Sequence, residues 1–178
     1  MRRVELEHLI RASAAIAADD EIVVIGSQAI LGQFPEAPVA LLVSDEADVY
    51  PRNHPERADA IDGAIGEGSY FHETFGYYAQ GVGPQTALLA PGWEGRLVPV
   101  RNENTRGATG LCLEIHDLLA AKALAGRDKD RRFIRDAARA GLAQVGEVLR
   151  RLAATPTEEL RRHAAIALVT QAYAPQGP

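Results

Sequence analysis

Hydrophobic and polar positions change their period several times along the chain, and each change predicts an element. Residues 4–17 carry their leucines and isoleucines near one face at helical spacing, which predicts an amphipathic helix. Four consecutive β-branched apolar residues at 22–25 predict a buried strand. Helical spacing returns over 27–33, and residues 45–50 alternate between acidic and apolar side chains, as a half-exposed strand does. From His116 onward the helical period dominates.

Shorter elements fill the remaining stretches. A proline in the first turn opens a predicted helix over 55–65, and an aromatic-rich stretch predicts a short helix followed by a strand near 76–82. Residues 86–100 predict two short strands around a Pro-Gly turn. A proline and a capping acid predict that a further helix begins at Thr155, and the tail from Tyr173 should be loose.

Strands mixed with helices, followed by helices alone, define the expected architecture. The pattern predicts an α/β (α+β) fold with a mixed sheet flanked by helices and a helical C-terminal part. We expect a core over 1–115 and a helical part over 116–178 that packs on it as a single compact unit. The total length of 178 residues is enough for one sizeable core.

Composition excludes several classes of protein. The single cysteine, Cys112, rules out an internal disulfide and any multi-cysteine zinc site. No apolar run approaches the roughly 20 residues that a membrane span needs. Acidic residues interrupt the N-terminal segment, which is therefore no signal peptide, and we expect a cytoplasmic protein without a membrane partner. A metal site built from His54, His72 and His116 is a weaker alternative, because their spacing matches no short zinc motif.

Charge is divided unevenly along the chain. Residues 1–100 hold 6 basic and 15 acidic residues, whereas residues 101–178 hold 13 basic and 9 acidic residues. An acidic half and a basic half are compatible with a metal site that faces an anionic substrate.

The acidic strand and the Gly-Ser turn before it are the first candidate site. Side chains alternate across a strand, so Glu46 and Asp48 point to one face and repel each other unless a cation lies between them. The turn at Gly26 and Ser27 precedes a helical segment, whose first backbone N–H groups can bind phosphate. Carboxylate oxygens bind Mg²⁺, so the two motifs together indicate a site for a metal-bound triphosphate.

A second candidate site lies where two predicted helices meet. The chain has only two lysines, Lys122 and Lys129, and both fall in this stretch, while its other 17 basic residues are arginines. Lys122 lies beside leucines, so we expect it to be half-buried and to need an anionic partner, for which Asp117 and Asp130 are candidates. Gly126 allows the chain to reverse, so that the second helix returns towards Lys122, with Asp128 as its N-cap.

These motifs together resemble the minimal nucleotidyltransferases of the polymerase-beta superfamily. More closely, the chain is similar to small bacterial members described as domains of unknown function and related to abortive-infection toxins. The resemblance covers about residues 21–141. It rests on the Gly-Ser turn, the Glu46-Ala47-Asp48 strand, His116-Asp117-Leu118 with Lys122 four residues on, and Ala125-Gly126-Arg127 followed by Lys129-Asp130.

The resemblance implies nucleotidyltransferase topology and a role for each matching residue. Gly26 and Ser27 would contact the triphosphate of ATP or another nucleoside triphosphate, and Glu46 and Asp48 would hold Mg²⁺ or Mn²⁺. The resemblance also implies catalytic roles for Lys122 and Asp130 across a cleft, with Arg127 and Lys129 near phosphate or the acceptor. An RNA 3′ end, a protein hydroxyl and a small molecule are all candidate acceptors. The resemblance favours a transfer RNA or other RNA, in a toxin with a cognate antitoxin partner.

Three departures from the family pattern support a second hypothesis. Eighteen residues separate Ser27 from Glu46, a longer spacing than usual; a glutamate stands where aspartate is commoner; and residues 97–100 carry no third carboxylate. Glu94 and Asp130 are the alternatives for that third position. If neither serves, the chain is a catalytically degenerate nucleotidyltransferase-fold module that binds a protein partner.

Overall fold

The computed structural model describes residues 1–174, which form two compact units. The first unit comprises Met1–Ala87 and Arg96–Glu114. The second comprises Leu88–Gly95 and the chain from Ile115 onward. The predicted loose tail lies largely outside the described residues.

A five-stranded mixed sheet forms the centre of the first unit. The strands are β1 (Glu21–Ile25), β2 (Glu46–Pro51), β3 (Tyr78–Gly81), β4 (Val98–Val100) and β5 (Thr109–Cys112). They occur in the order β3-β2-β1-β5-β4, so the two strands predicted at 22–25 and 45–50 are neighbours. Strand β1 pairs antiparallel with β2 and parallel with β5, β2 pairs parallel with β3, and β4 pairs antiparallel with β5. The predicted α+β class with a mixed sheet is confirmed.

Helices cover one face of this sheet because glycines in and next to the sheet allow close approach. A Cβ at Gly110 of β5 would overlap Ile10 of the first helix, and a Cβ at Gly32 of the second would lie 2.9 Å from Sγ of Cys112. The Cys112 side chain is fully buried, as predicted for a small core residue. The helices of this unit are α1 (Arg3–Ala17), α2 (Ile30–Gln33), α3 (Ala58–Ile65) and α4 (Tyr70–Phe75).

One predicted strand pair is wrong. Residues 88–92 form no strand, residues 93–96 form a 3₁₀ turn, and only Val98–Val100 joins the sheet. Two prolines and two glycines fall between 84 and 95, and neither residue type favours the interior of a strand.

In the part of the second unit that the structure describes, the four helices are α5 (Ile115–Ala125), α6 (Asp128–Arg139), α7 (Val145–Ala154) and α8 (Glu159–Ala172). Helices α5, α7 and α8 pack against one another through buried leucines, valines and alanines. Thr155 is the C-cap of α7, and α8 begins only at Glu159, so the predicted helix start at Thr155 is wrong.

None of the helices within residues 1–174 has the length and apolar character to cross a bilayer. The packing of 116–178 on 1–115 stays a prediction.

A buried carboxylate fastens the loop after β4 to α1. Glu7 is 4% exposed and accepts hydrogen bonds from Nε of Arg3 at 2.8 Å and from the side-chain amides of Asn102 and Asn104 at 2.7 and 2.8 Å. Burial opposes ionisation of Glu7, but the two amide bonds and the bond and charge of Arg3 outweigh it, so its pKa lies below the usual value. The charged form is therefore the one that this loop requires.

We expect Glu7→Gln to lower the free energy of unfolding by about 2 kcal/mol. The glutamine has an NH₂ group in place of one carboxylate oxygen, and this group would face the N–H donors that Glu7 now binds. The folded-state pKa is lowered, so the contribution of Glu7 is present above its unfolded pKa and is lost as pH falls through the folded value. Urea unfolding from pH 7 to pH 3 measures both effects. The exposed Glu36→Gln is the control, and equal stability of the two variants at pH 7 would contradict the assignment.

Candidate active site

The Gly-Ser turn leaves the end of β1 in a conformation reserved for glycine. Gly26 has φ 72° and ψ −169°, a region that residues with a Cβ essentially avoid. A 3₁₀ turn at Ser27–Ala29 follows and continues into the single turn of α2. The predicted helical segment over 27–33 is therefore confirmed in a tighter form than a regular α-helix.

The acidic strand exposes its two carboxylates on one face, as predicted. Glu46 and Asp48 of β2 are partly exposed, whereas Ala47 and Val49 between and after them are fully buried. Asp48 lies opposite Ile25, the last residue of β1. Ala47 and Val49 join the core on the helix-covered face, whereas Glu46 and Asp48 lie on the other face.

The turn and the acidic strand meet at Gly26 and Asp48. A Cβ built on Gly26 would overlap the Asp48 carboxylate, with 2.9 Å to Cγ and an even shorter approach to Oδ2. Gly26 is thus required twice, by its backbone angles and by the side chain beside it. The structure brings the predicted phosphate turn and the predicted metal-binding strand to one place.

Gln28 links the same turn to the start of β2, which sequence reasoning missed. Its side chain is fully buried, and its amide donates to the Ser44 carbonyl at 3.1 Å. The Ser44 hydroxyl in turn accepts from the backbone N–H of Glu46 at 3.2 Å. A glutamine inside a short apolar segment is the signal that could have indicated this link.

Strand β3 borders the acids with neutral polar side chains. Tyr78 lies opposite Glu46, and Gln80 lies opposite Asp48. The Tyr78 ring stands against the His72 ring, with 4.6 Å between centroids. Burial raises the pKa of Tyr78, and the nearby carboxylates, those of Glu46, Glu67, Asp48 and Asp45, raise it further, so negative charge is concentrated here.

Residues 97–100, where the family pattern would place a third carboxylate, do not form the strand next to the acidic strand β2. Val98–Val100 forms β4 at the edge of the sheet opposite to β3, three strands away from β2. Within residues 1–174, no group of three or more His, Cys, Asp or Glu side chains is placed to hold a metal ion. This finding also weighs against the three-histidine site. A role for Glu94 or Asp130 as the third carboxylate stays a prediction.

In the second unit, the chain reverses at Gly126 as predicted. Gly126 has φ 65° and follows α5, and α6 begins directly afterwards with Arg127 as its N-cap, so the prediction of Asp128 as N-cap is wrong. The reversal brings Nζ of Lys122 within 3.0 Å of Oδ1 of Asp130. Nε of Arg127 binds Oδ2 of Asp130 at 2.6 Å.

Burial makes this a tight internal ion pair. The Lys122 side chain is 5% exposed and that of Asp130 is 0% exposed, so Lys122 is buried and not half-buried as predicted. Its ammonium also lies 4.5 Å from the centre of the Phe133 ring. Burial opposes ionisation of Asp130, but the bonds and charges of Arg127 and Lys122 outweigh it and hold its pKa below the usual value.

The other residues of this stretch have different surroundings. Asp117, the second predicted partner of Lys122, is buried and forms an ion pair with Arg151, with 3.3 Å between Oδ1 and Nε. Lys129 is exposed, and Arg127 is 60% exposed despite its bond to Asp130. Cationic groups therefore remain accessible on this helix start, whereas the lysine ammonium predicted to act on phosphate is enclosed.

Comparison with known families identifies the family of this chain. Residues 5–170 match the family described as "Nucleotidyltransferase of unknown function (DUF6036)", so the chain belongs to that family. Membership implies a nucleotide substrate. Searches of curated proteins and of solved structures found no significant match to the chain.

Proposed function

We propose that this protein transfers a nucleoside monophosphate from a metal-bound nucleoside triphosphate to a hydroxyl acceptor. The observation that carries the proposal is the contact between Gly26 and Asp48, which joins the Gly-Ser turn to the acid-x-acid strand. Gly26 and Ser27 would bind the triphosphate, and Glu46 and Asp48 would bind the metal ion. Membership in a nucleotidyltransferase family supports the reaction class.

The donor set fits Mg²⁺ or Mn²⁺. Both ions prefer oxygen ligands, and Mg²⁺ is commonly held by one or two carboxylates together with substrate phosphates. Glu46 and Asp48 supply two carboxylates on one face. Burial is the main cause of the raised pKa of Tyr78 beside them, and the negative charge of these and nearby carboxylates raises it further. When bound, the ion would neutralise charge that develops on the phosphate oxygens.

The protein's own residues would bind and orient the reactants. The acceptor oxygen attacks the α-phosphorus, a new oxygen–phosphorus bond forms, and the bond to the leaving pyrophosphate breaks. Glu46 or Asp48 would accept the hydroxyl proton, since both carboxylates are partly exposed on the same face. Gln28 would hold the turn and β2 in register through its bond to Ser44.

The cationic end of α6 supports an anionic acceptor. We assign Arg127 and Lys129, both exposed, to phosphate or acceptor contacts, and we assign Lys122 and Asp130 to positioning that helix start through their buried pair. An RNA end, such as the 3′ end of transfer RNA, is the acceptor that the polymerase-beta and abortive-infection resemblance implies. The same resemblance implies ATP or another nucleoside triphosphate as the donor, and a toxin role with a cognate antitoxin.

We expect Asp48→Asn to remove the metal-dependent part of nucleotide binding and to lower transfer by roughly 10²-fold or more. Calorimetry with ATP, with and without Mg²⁺, measures binding in wild type and variant. Incubation with each labelled triphosphate and total RNA then identifies base and acceptor. Asp59→Asn, an exposed carboxylate in the first turn of α3, is the matched control.

A degenerate module that binds a protein partner is the alternative function. The neutral Tyr78 and Gln80 on the strand beside the acids favour it, as does the absence of a three-ligand group within residues 1–174. This alternative predicts equal nucleotide affinity with and without Mg²⁺ in wild type and in Asp48→Asn. That result would overturn the transferase proposal.

A further inference from the structure

An open cavity of about 450 Å³ lies between α1, α4 and the start of β3, away from the acidic pair. Ligand pockets for small molecules commonly measure 300–1,000 Å³. Its lining combines the rings of His8, Phe75 and Tyr77 with the guanidinium groups of Arg2 and Arg11. The transferase proposal assigns no role to any of these five residues.

The aromatic wall of this cavity is fixed by contacts inside the protein. His8 stands edge-on to Phe75 at 4.9 Å between ring centroids and lies 6.0 Å from the ring of Tyr77. Nδ1 of His8 and the Tyr77 hydroxyl lie 2.8 Å apart in a hydrogen bond, and Phe71 supports Phe75 at 4.7 Å. Phe75 nevertheless stays 48% exposed, so a rigid apolar ring faces the opening.

The charged side of the cavity is positive. Nη1 of Arg11 donates to the Asn104 carbonyl at 2.7 Å, which orients the guanidinium and uses one of its five N–H groups. Arg2 pairs with Glu5 at 2.7 Å, so two arginines and one glutamate leave one net positive charge. Burial and the charge of Arg11 lower the pKa of His8, so the positive charge comes from the arginines.

An exposed ring beside oriented guanidinium groups matches one ligand chemistry in particular. Bases stack on aromatic side chains regardless of sequence, and arginine binds phosphate in a fixed fork geometry. We propose that this cavity is a second nucleotide-binding site, in which a base stacks on Phe75 and a phosphate binds Arg11 and Arg2. The ligand is a nucleoside phosphate, either free or as part of a single-stranded RNA.

Its place in the fold suits a strand that leads to the acidic pair. Tyr77 contacts His8 of α1 on the helix-covered side, and the next residue, Tyr78, lies beside Glu46 on the acid side. Tyr78 is the first residue of β3, the strand at this edge of the sheet, and Tyr77 directly precedes it. A single strand held at Phe75 could therefore pass this edge towards Glu46 and Asp48. This last step rests on the proposed function, whereas binding in the cavity does not.

Two ligands and two variants test the site on the full chain. Fluorescence anisotropy measures binding of a labelled single-stranded RNA decamer, and competition with AMP measures binding of a free nucleotide. We expect Phe75→Ala and Arg11→Gln each to weaken binding roughly 10-fold, and wild-type affinity for the decamer to fall as salt rises. Tyr70→Ala and Arg106→Gln are matched controls, since both side chains are exposed and lie outside the cavity.

The outcomes distinguish RNA from a free nucleotide as the ligand, and they test the cavity proposal separately from the transferase proposal. Tighter binding of the decamer than of AMP assigns the cavity to RNA, and equal binding assigns it to a free nucleotide. The proposal is overturned if neither ligand binds, or if Phe75→Ala and Arg11→Gln bind like the controls while melting like wild type. Decamer binding by the wild-type protein, together with no transfer from any labelled triphosphate, would overturn the transferase proposal alone.

Discussion

Replacing Lys122 with alanine is expected to lower the free energy of unfolding by about 3 kcal/mol. The Lys122 side chain is 5% exposed, and its ammonium lies 3.0 Å from the carboxylate of Asp130, whose side chain is 0% exposed. Removing the lysine leaves the Asp130 charge buried with Arg127 as its remaining ion-pair partner and opens a cavity beside Phe133. The sequence predicted a half-buried lysine, and the nearly complete burial of Lys122 in the structure is the reason for the larger expected loss.

Lys129→Ala is the matched control for this prediction. Lys129 is the only other lysine in the chain, it is exposed, and it lies next to Asp130 in the sequence. Urea unfolding followed by circular dichroism should leave the Lys129 variant within about 0.5 kcal/mol of wild type. Equal unfolding midpoints for both variants would show that the buried pair contributes no stability. Because stability changes, loss of transfer in Lys122→Ala is informative only at temperatures where the variant stays folded.

Gly26→Ala should destabilise the first unit by about 3 kcal/mol and abolish metal-dependent nucleotide binding. The backbone at φ 72° and ψ −169° strains any residue with a Cβ, and that Cβ would overlap the Asp48 carboxylate. The backbone strain would lower stability, and displacement of the Asp48 carboxylate would weaken the proposed metal site. Thermal unfolding and calorimetry with ATP and Mg²⁺ measure the two effects separately.

Gly63→Ala provides the opposite expectation within the same unit. Gly63 lies inside α3, and a Cβ there would meet no atom within 4 Å. Alanine should therefore raise the free energy of unfolding by about 0.5–1 kcal/mol. A Gly26→Ala protein that is as stable as wild type and binds ATP and Mg²⁺ normally would remove the main support for the proposed active site.

Local patterns were sufficient for the part of the site that depends on neighbouring strands. Four β-branched residues and an acid-x-acid alternation predict two strands, and the Gly-Ser turn makes their pairing plausible, as the register of Ile25 and Asp48 confirms. The reversal at Gly126 was also predictable, because a glycine between two helical periods favours a left-handed turn.

Features that depend on pairing over long distances were not predictable. The neighbour of the acidic strand is β3 and not β4, and no local pattern in Tyr78-Ala79-Gln80 or in Val98-Pro99-Val100 decides which strand pairs with β2. The burial of Lys122 likewise depends on Phe133 and Asp130 from the next helix. The Gln28 link needs Ser44, which lies 16 residues away.

The core position of Cys112 has a practical consequence for chemical labelling. The thiolate is the form that reacts with maleimides, and burial raises the pKa of this thiol to about 12 in a side chain with no exposed surface. The native protein should therefore behave towards such reagents as if it contained no cysteine. A cysteine introduced at Tyr70 of the first unit or Leu160 of the second, which are 84% and 82% exposed, would become the single reactive thiol. Dyes or spin labels can thus be attached to either unit without replacing the residue that packs against Gly32.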